Sequence, residues 1–224
     1  FQTLIQIASE ITDDSPLEYE PNNTEPYQFA LDSIGLIFEK FDNSNIFVPI
    51  YQLAMTILSN PDITWQAAYA AISSLAEINM IALSYLIDKE EMQKNLFNKL
   101  SMFLDIESYT RTRIAVYTFI SKLSVRGILC PQNQLCLILI LPLESLMIIE
   151  NNMIAKKLAY QAYTDFISQQ TSQKNNEFFE RFYPELVKEL QTASNDFKIN
   201  IVRLIGPLVK AAREDAIQYF PSIV

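Results

Sequence analysis

The chain has 224 residues, half of them hydrophobic, so it is long and apolar enough to bury a continuous core. With three glycines and no histidine, it lacks the turn residues of strand-rich folds and the commonest catalytic base and metal ligand. Acidic residues outnumber basic ones by 26 to 17, and this net charge of -9 argues against direct nucleic-acid binding and favours a basic protein partner.

Five segments share a helical pattern that we call helix A. In each, a small or apolar residue is followed by bulky residues four and seven or eight positions later, which places all three on one helical face. The pattern predicts A helices near residues 26–41, 63–79, 109–124, 151–169 and 196–211. Its first positions are Ala30, Ala68, Ala115, Ala159 and Ile201, which recur every 38 to 47 residues.

A second helix, B, follows each A helix and begins with apolar residues and a proline. The prolines are Pro49, Pro142, Pro184 and Pro221, and Asn95 takes this position in the remaining unit. We place these prolines in the first helical turn, where the missing N–H has no intrahelical partner. B helices are therefore predicted near 45–59, 89–104, 132–149, 176–191 and 215–224, and a helix over 1–12 as the B helix of a preceding unit.

This alternation predicts an all-α fold, an α-α superhelix of the HEAT-repeat type with about five helix pairs. The whole chain, 1–224, is expected to form one solenoid segment of a longer protein, because it begins at Phe1 without a leader sequence. The predicted units are a partial one at 1–12 and pairs at 26–59, 63–104, 109–149, 151–191 and 196–224.

Catalysis, cofactor binding and membrane insertion are not expected. The sequence has no glycine-rich phosphate loop and no cysteine with an activating partner, so we expect neither an enzyme nor a metal or cofactor site. Cys130 and Cys136 are interpreted as reduced core thiols. The most apolar run, residues 135–143, is much shorter than the roughly 20 residues that span a membrane.

Residues 30–77, ALDSIGLIFEKFDNSNIFVPIYQLAMTILSNPDITWQAAYAAISSLAE, resemble consecutive repeats of the importin-β (karyopherin-β) superfamily, most nearly its importin-5-like or importin-4-like branch. The resemblance implies a nuclear transport receptor that moves between cytoplasm and nucleus and carries protein cargo with basic segments on its concave B-helix surface. It also implies binding to phenylalanine-glycine nucleoporins and to the Ran GTPase, the latter mainly through repeats outside this chain. The alternative is a HEAT-repeat scaffold subunit of a stable complex, such as a phosphatase scaffold, a coat adaptor or a chromosome-associated subunit.

Eight polar residues are the candidate cargo contacts, because we expect them on the solvent side of the B helices or in the turn after the third one. Their carboxylates and amides would receive lysine and arginine side chains of a cargo, whereas the plainer interpretation is an ordinary solvated helix face. Basic pairs that begin two A helices, Arg111 with Arg113 and Lys156 with Lys157, are expected to form surface ion pairs. The eight candidates are Gln52, Thr56, Glu144, Glu150, Asn151, Asn152, Glu185 and Glu189.

Overall fold

The structure, a computed structural model, describes residues 1–12, 25–41, 44–78, 83–131, 133–169 and 177–212. All regular structure within these ranges is helical, so the predicted all-α fold class is confirmed. Short 3₁₀ turns at Ser84–Leu86 and Gln134–Cys136 precede two of the helices. The helices are α1 (Gln2–Ala8), α2 (Pro26–Phe41), α3 (Ser44–Leu58), α4 (Trp65–Ala76), α5 (Glu90–Ser101), α6 (Thr110–Val125), α7 (Leu137–Ile149), α8 (Met153–Ser168), α9 (Glu177–Thr192) and α10 (Asn195–Ala212).

The even-numbered helices from α2 to α10 are the predicted A helices, and α3, α5, α7 and α9 are the predicted B helices. Each lies within a few residues of its predicted range. The predicted B helix over 215–224 lies outside the described residues. The hydrophobic periodicity of the sequence was therefore a sufficient guide to where the helices form.

The A helices are stacked side by side, with close packing of α4 on α6, α6 on α8 and α8 on α10. Small side chains allow this approach of the backbones. The alanines of the stack include Ala68, Ala71, Ala159 and Ala162, all of them fully buried. Because each A helix covers the next, the core continues from one unit to the following one, as in a solenoid.

The B helices lie in a second layer that is joined to the A helices of the following units. Among the described residues, α3 packs on α4, α7 on α8 and α9 on α10, while α5 contacts its neighbours α3 and α7. The short helix α1 packs on α2 and α4, and the ring of Phe1 lies 5.9 Å from that of Phe38. One hydrophobic cluster runs through these contacts from Ile5 to Ala212. Among the described helices, none is long and apolar enough to cross a membrane.

The predicted position of the prolines is wrong. Pro49 and Pro142 lie one and a half turns inside α3 and α7, and Pro184 lies deeper still inside α9. The helices extend upstream because apolar residues before the prolines, such as Phe47 and Phe182, are buried in the core. Each interior proline removes one backbone hydrogen bond, a loss that this burial offsets.

Candidate functional site

Glu150, at the end of α7, is buried rather than solvent-facing, with 3% of its surface exposed, so the prediction of its position is wrong. Its Oε2 accepts hydrogen bonds from Arg113 Nε at 2.8 Å and from the Tyr117 hydroxyl at 3.3 Å. Its Oε1 accepts from Arg113 Nη2 at 3.0 Å and from the Asn152 backbone N–H at 3.1 Å. Both oxygens are fully used inside the fold, because a buried carboxylate is stable only when it is paired and hydrogen-bonded.

Arg113 is likewise internal rather than part of a surface ion pair. Its Nη1 donates to the backbone carbonyls of Ile106 and Ser108, so one guanidinium joins the turn before α6 to the end of α7. Burial lowers the pKa of Arg113, but the hydrogen bond and charge of Glu150 outweigh it and leave the pKa raised. Arg111 is also buried, and its guanidinium lies 5.7 Å from the centre of the Tyr27 ring.

A second copy of this arrangement occurs in the next unit. Lys156 and Tyr160 lie four residues apart on α8, as Arg113 and Tyr117 do on α6, and both pairs meet a glutamate from the following B helix. The Lys156 ammonium and the Tyr160 hydroxyl both contact the carboxylate of Glu189. We call each set of cation, tyrosine and glutamate a triad. The triads were not predicted from the sequence, although their A-helix members recur 43 residues apart, within the range of the repeat, and so carried a detectable signal.

Burial is the largest cause that raises the pKa of both triad tyrosines. The negative charge of Glu150 raises the pKa of Tyr117 further, and the hydrogen bond to Glu189 does the same for Tyr160. Both hydroxyls therefore stay protonated and donate to the carboxylates at neutral pH. The triads are structural links between the A and B layers.

Two further candidates also hold the fold together. Glu144 is 6% exposed and accepts a hydrogen bond from the Tyr163 hydroxyl at 2.6 Å, so its predicted solvent-facing position is wrong. The Asn152 side chain accepts from the N–H groups of Ile154 and Ala155 at 3.1 and 3.0 Å and thus caps α8. Glu144, Glu150 and Glu189 connect α7 and α9 to the neighbouring A helices, whereas Asn152 acts within α8.

The other four candidates are exposed and lie on three separate elements. Gln52 and Thr56 are on α3, where the Thr56 hydroxyl donates to the Gln52 carbonyl at 2.8 Å. Asn151 is in the turn between α7 and α8, and Glu185 is on α9. Their role in cargo contact stays a prediction.

The exposed face of α7 is the feature of the B layer that sequence analysis did not predict. Leu141 and Ile148 are 44% and 49% exposed, and the exposed Ser145 lies between them on the same helical face. Glu144, the one charged residue of α7, is buried and hydrogen-bonded to Tyr163, so this face has no charged side chain. We call Leu141, Ser145 and Ile148 the α7 face. A sequence that is apolar all round the helix carries no signal of which side meets solvent.

Aromatic side chains of the A helices form part of the core, and no metal site is found in the described ranges. Tyr117, Phe119, Tyr160, Tyr163 and Phe166 are buried on the A helices, whereas Tyr69 is half-buried. Across the part of the chain that the structure describes, no three acidic, cysteine or histidine side chains cluster closely enough to hold a metal ion. Both cysteines are free thiols.

Comparison with known proteins does not identify a family for this chain. No protein-family model matches the sequence, and no curated protein matches it significantly. The resemblance to importin-β receptors therefore depends on the sequence pattern of residues 30–77 alone.

Proposed function

We propose that this chain is a protein-binding segment of an α-solenoid and that its partner contacts the exposed side of the B helices. The α7 face is the observation that supports this most directly. The exposed part of Leu141 and Ile148, about half of each side chain, is not buried in the isolated fold and would gain free energy by burial against a partner.

In finer terms, we propose a nuclear transport receptor of the importin-β type, with the B-helix surface as its cargo surface. The likeness of residues 30–77 and the continuous stack of A helices support this proposal. Cargo would be anchored by apolar contact at the α7 face, and the exposed Glu185 would receive basic side chains at the rim. Phenylalanine-glycine nucleoporins and, through other repeats, Ran would be transient partners, and the protein would move between cytoplasm and nucleus.

A static scaffold subunit is the second candidate, and the same face favours it. Permanent interfaces are more apolar than transient ones, and the α7 face has no charged side chain. A scaffold would copurify with partners in fixed stoichiometry and would not respond to Ran. A receptor would exchange its cargo when RanGTP is added.

Binding of RanGTP to the full-length protein and of phenylalanine-glycine repeats to this chain tests the transport role. Loss of both interactions would remove that role and leave the protein-binding proposal standing. For the latter, Leu141→Ser with Ile148→Ser is expected to weaken binding of cargo or of a copurifying partner. The matched control is Phe29→Ser with Leu36→Ser, an exposed pair of the same spacing on α2. Equal binding by the two double variants would show that the α7 face is not the partner surface.

A further inference from the structure

A cleft of about 240 Å³ lies between α1, α3 and α4, away from the α7 face. Four of the residues that line it are aliphatic: Ile5, Leu53, Ile57 and Ala67. Ile5 is almost fully buried, while the other three are half-buried and open to the cleft. The volume is smaller than the roughly 300–1,000 Å³ of sites for drug-sized ligands, so the cleft has the size for one or two side chains rather than a cofactor.

The other lining residues are polar but uncharged, and all of them belong to α1 or its end. Gln2, Gln6 and Ser9 follow one another at helical spacing along α1 and its end. The Ser9 hydroxyl donates to the Gln6 backbone carbonyl at 2.7 Å and is thus engaged. Both glutamine side chains are exposed, and within the described ranges neither amide forms a hydrogen bond. Each amide is free to donate and to accept one more bond.

The spacing of the two glutamines matches an extended peptide. Residues four apart on a helix are separated by about 6 Å along its axis. Residues two apart in an extended chain are separated by about 6.6 Å, and their backbone groups point the same way. Gln2 and Gln6 can therefore bond to alternate peptide groups of one segment, while one side chain of that segment enters the cleft.

The chemistry of the lining determines which side chain fits. No charged residue lines the cleft in a chain of net charge -9, so a charged side chain would lose hydration there without finding a partner. An aliphatic side chain loses nothing and buries its surface against Leu53 and Ile57.

From this geometry we propose that the cleft binds an extended, uncharged peptide segment of a partner protein through one aliphatic side chain, with Gln2 and Gln6 holding its backbone. This site is separate from the α7 face and does not depend on a transport role. It adds a second, sequence-selective contact to the protein-binding function proposed above.

The test is the affinity of capped, fluorescein-labelled seven-residue peptides of glycine, serine and threonine with a single central residue, measured by anisotropy. Peptides centred on Leu, Ile, Val or Met should bind, and those centred on Asp or Lys should bind at least tenfold more weakly. Ala67→Leu places an aliphatic side chain of the protein in the cleft and should abolish binding while the fold is kept. Gln2→Ala with Gln6→Ala should weaken binding by about tenfold or more, since two backbone hydrogen bonds are lost.

Two controls separate this site from the α7 face. Gln52→Ala removes an exposed glutamine of α3 that does not line the cleft, and Leu141→Ser with Ile148→Ser disrupts the α7 face; both should leave peptide affinity unchanged. Circular dichroism of each variant checks that the helices are intact. The proposal is overturned if no aliphatic peptide binds, if Ala67→Leu binds normally, or if the Asp or Lys peptides bind equally well. A dimer that disappears in Ala67→Leu would identify a second copy as the occupant and would also overturn it.

Discussion

Replacing Glu150 by glutamine should be among the most destabilising single changes in the B layer. The side chains of Arg113 and Glu150 are only 5% and 1% exposed. Glu150→Gln leaves the Arg113 charge buried without its counter-charge, and loss of one partner of such a pair costs about 3–5 kcal/mol. The amide also presents N–H groups where the carboxylate accepted hydrogen bonds, so at least one donor loses its acceptor.

Two other ion pairs provide matched controls of decreasing burial. In the second triad, Lys156 and Glu189 are 14% and 21% exposed, so Glu189→Gln should cost about 1–3 kcal/mol. Glu77 and Lys122 are 38% and 39% exposed, so Glu77→Gln should cost about 0–1 kcal/mol. Removing the buried charge as well, in Arg113→Met with Glu150→Gln, should restore part of the loss.

Urea denaturation followed by circular dichroism measures these effects as shifts of the midpoint at a common slope. Because solenoid units are coupled to their neighbours, a change of slope would show that the variant unfolds in more than one step. The reasoning is refuted if Glu150→Gln lies within about 1 kcal/mol of Glu77→Gln, or if the Arg113 and Glu150 effects simply add, since interacting residues are not additive.

Three further predictions concern titration, packing and backbone geometry. Above its ordinary pKa of 10.0, Tyr117 ionises in the unfolded chain but keeps its proton in the folded one. This one residue should therefore lower stability by up to about 1.4 kcal/mol per pH unit, a contribution that Tyr117→Phe lacks, and urea midpoints of the two proteins on either side of that pH measure the difference. Ala159→Leu overfills the A-helix stack and should lower the free energy of unfolding by about 1–3 kcal/mol. Its control, Gln161→Leu, is exposed on the same helix and should change that free energy by under about 0.5 kcal/mol. Gly127→Ala places a side chain at a φ of +69° and should lower stability by about 1–2 kcal/mol. Gly206→Ala, inside α10 with open space around it, should raise stability by about 0.5–1 kcal/mol, so thermal melts should show shifts of opposite sign.

Most of the fold could be predicted from the sequence, because it is encoded locally. Apolar residues at helical spacing and polar turns between them determine where each helix lies, and this needs no knowledge of neighbours. The predicted position of the prolines was wrong because the preference of proline for the first helical turn competes with the burial of apolar residues before it. Phe47, two residues before Pro49, is fully buried, and its packing keeps the upstream turn helical.

The candidate site was predicted less well, because solvent exposure of a polar residue depends on distant partners. Glu150 is buried by Arg113, 37 residues away in the chain, and Glu144 by Tyr163 on the next helix. A glutamate on a B helix normally marks the solvent side, and this rule holds for Glu185. It fails where the facing A helix presents an arginine or a tyrosine at the same level.

Both apolar packing and a buried ion pair position the α7 face. The helix α7 packs directly on α8, the next A helix. Its link to α6 in the same unit passes instead through Glu150 and Arg113, a bond with fixed geometry at two oxygens. Apolar packing thus holds α7 against α8, and the directional triad ties the end of α7 to α6. Glu144 and Glu150, predicted from the sequence to contact the partner, instead hold α7 in place, and the apolar face of α7 is proposed to bind that partner.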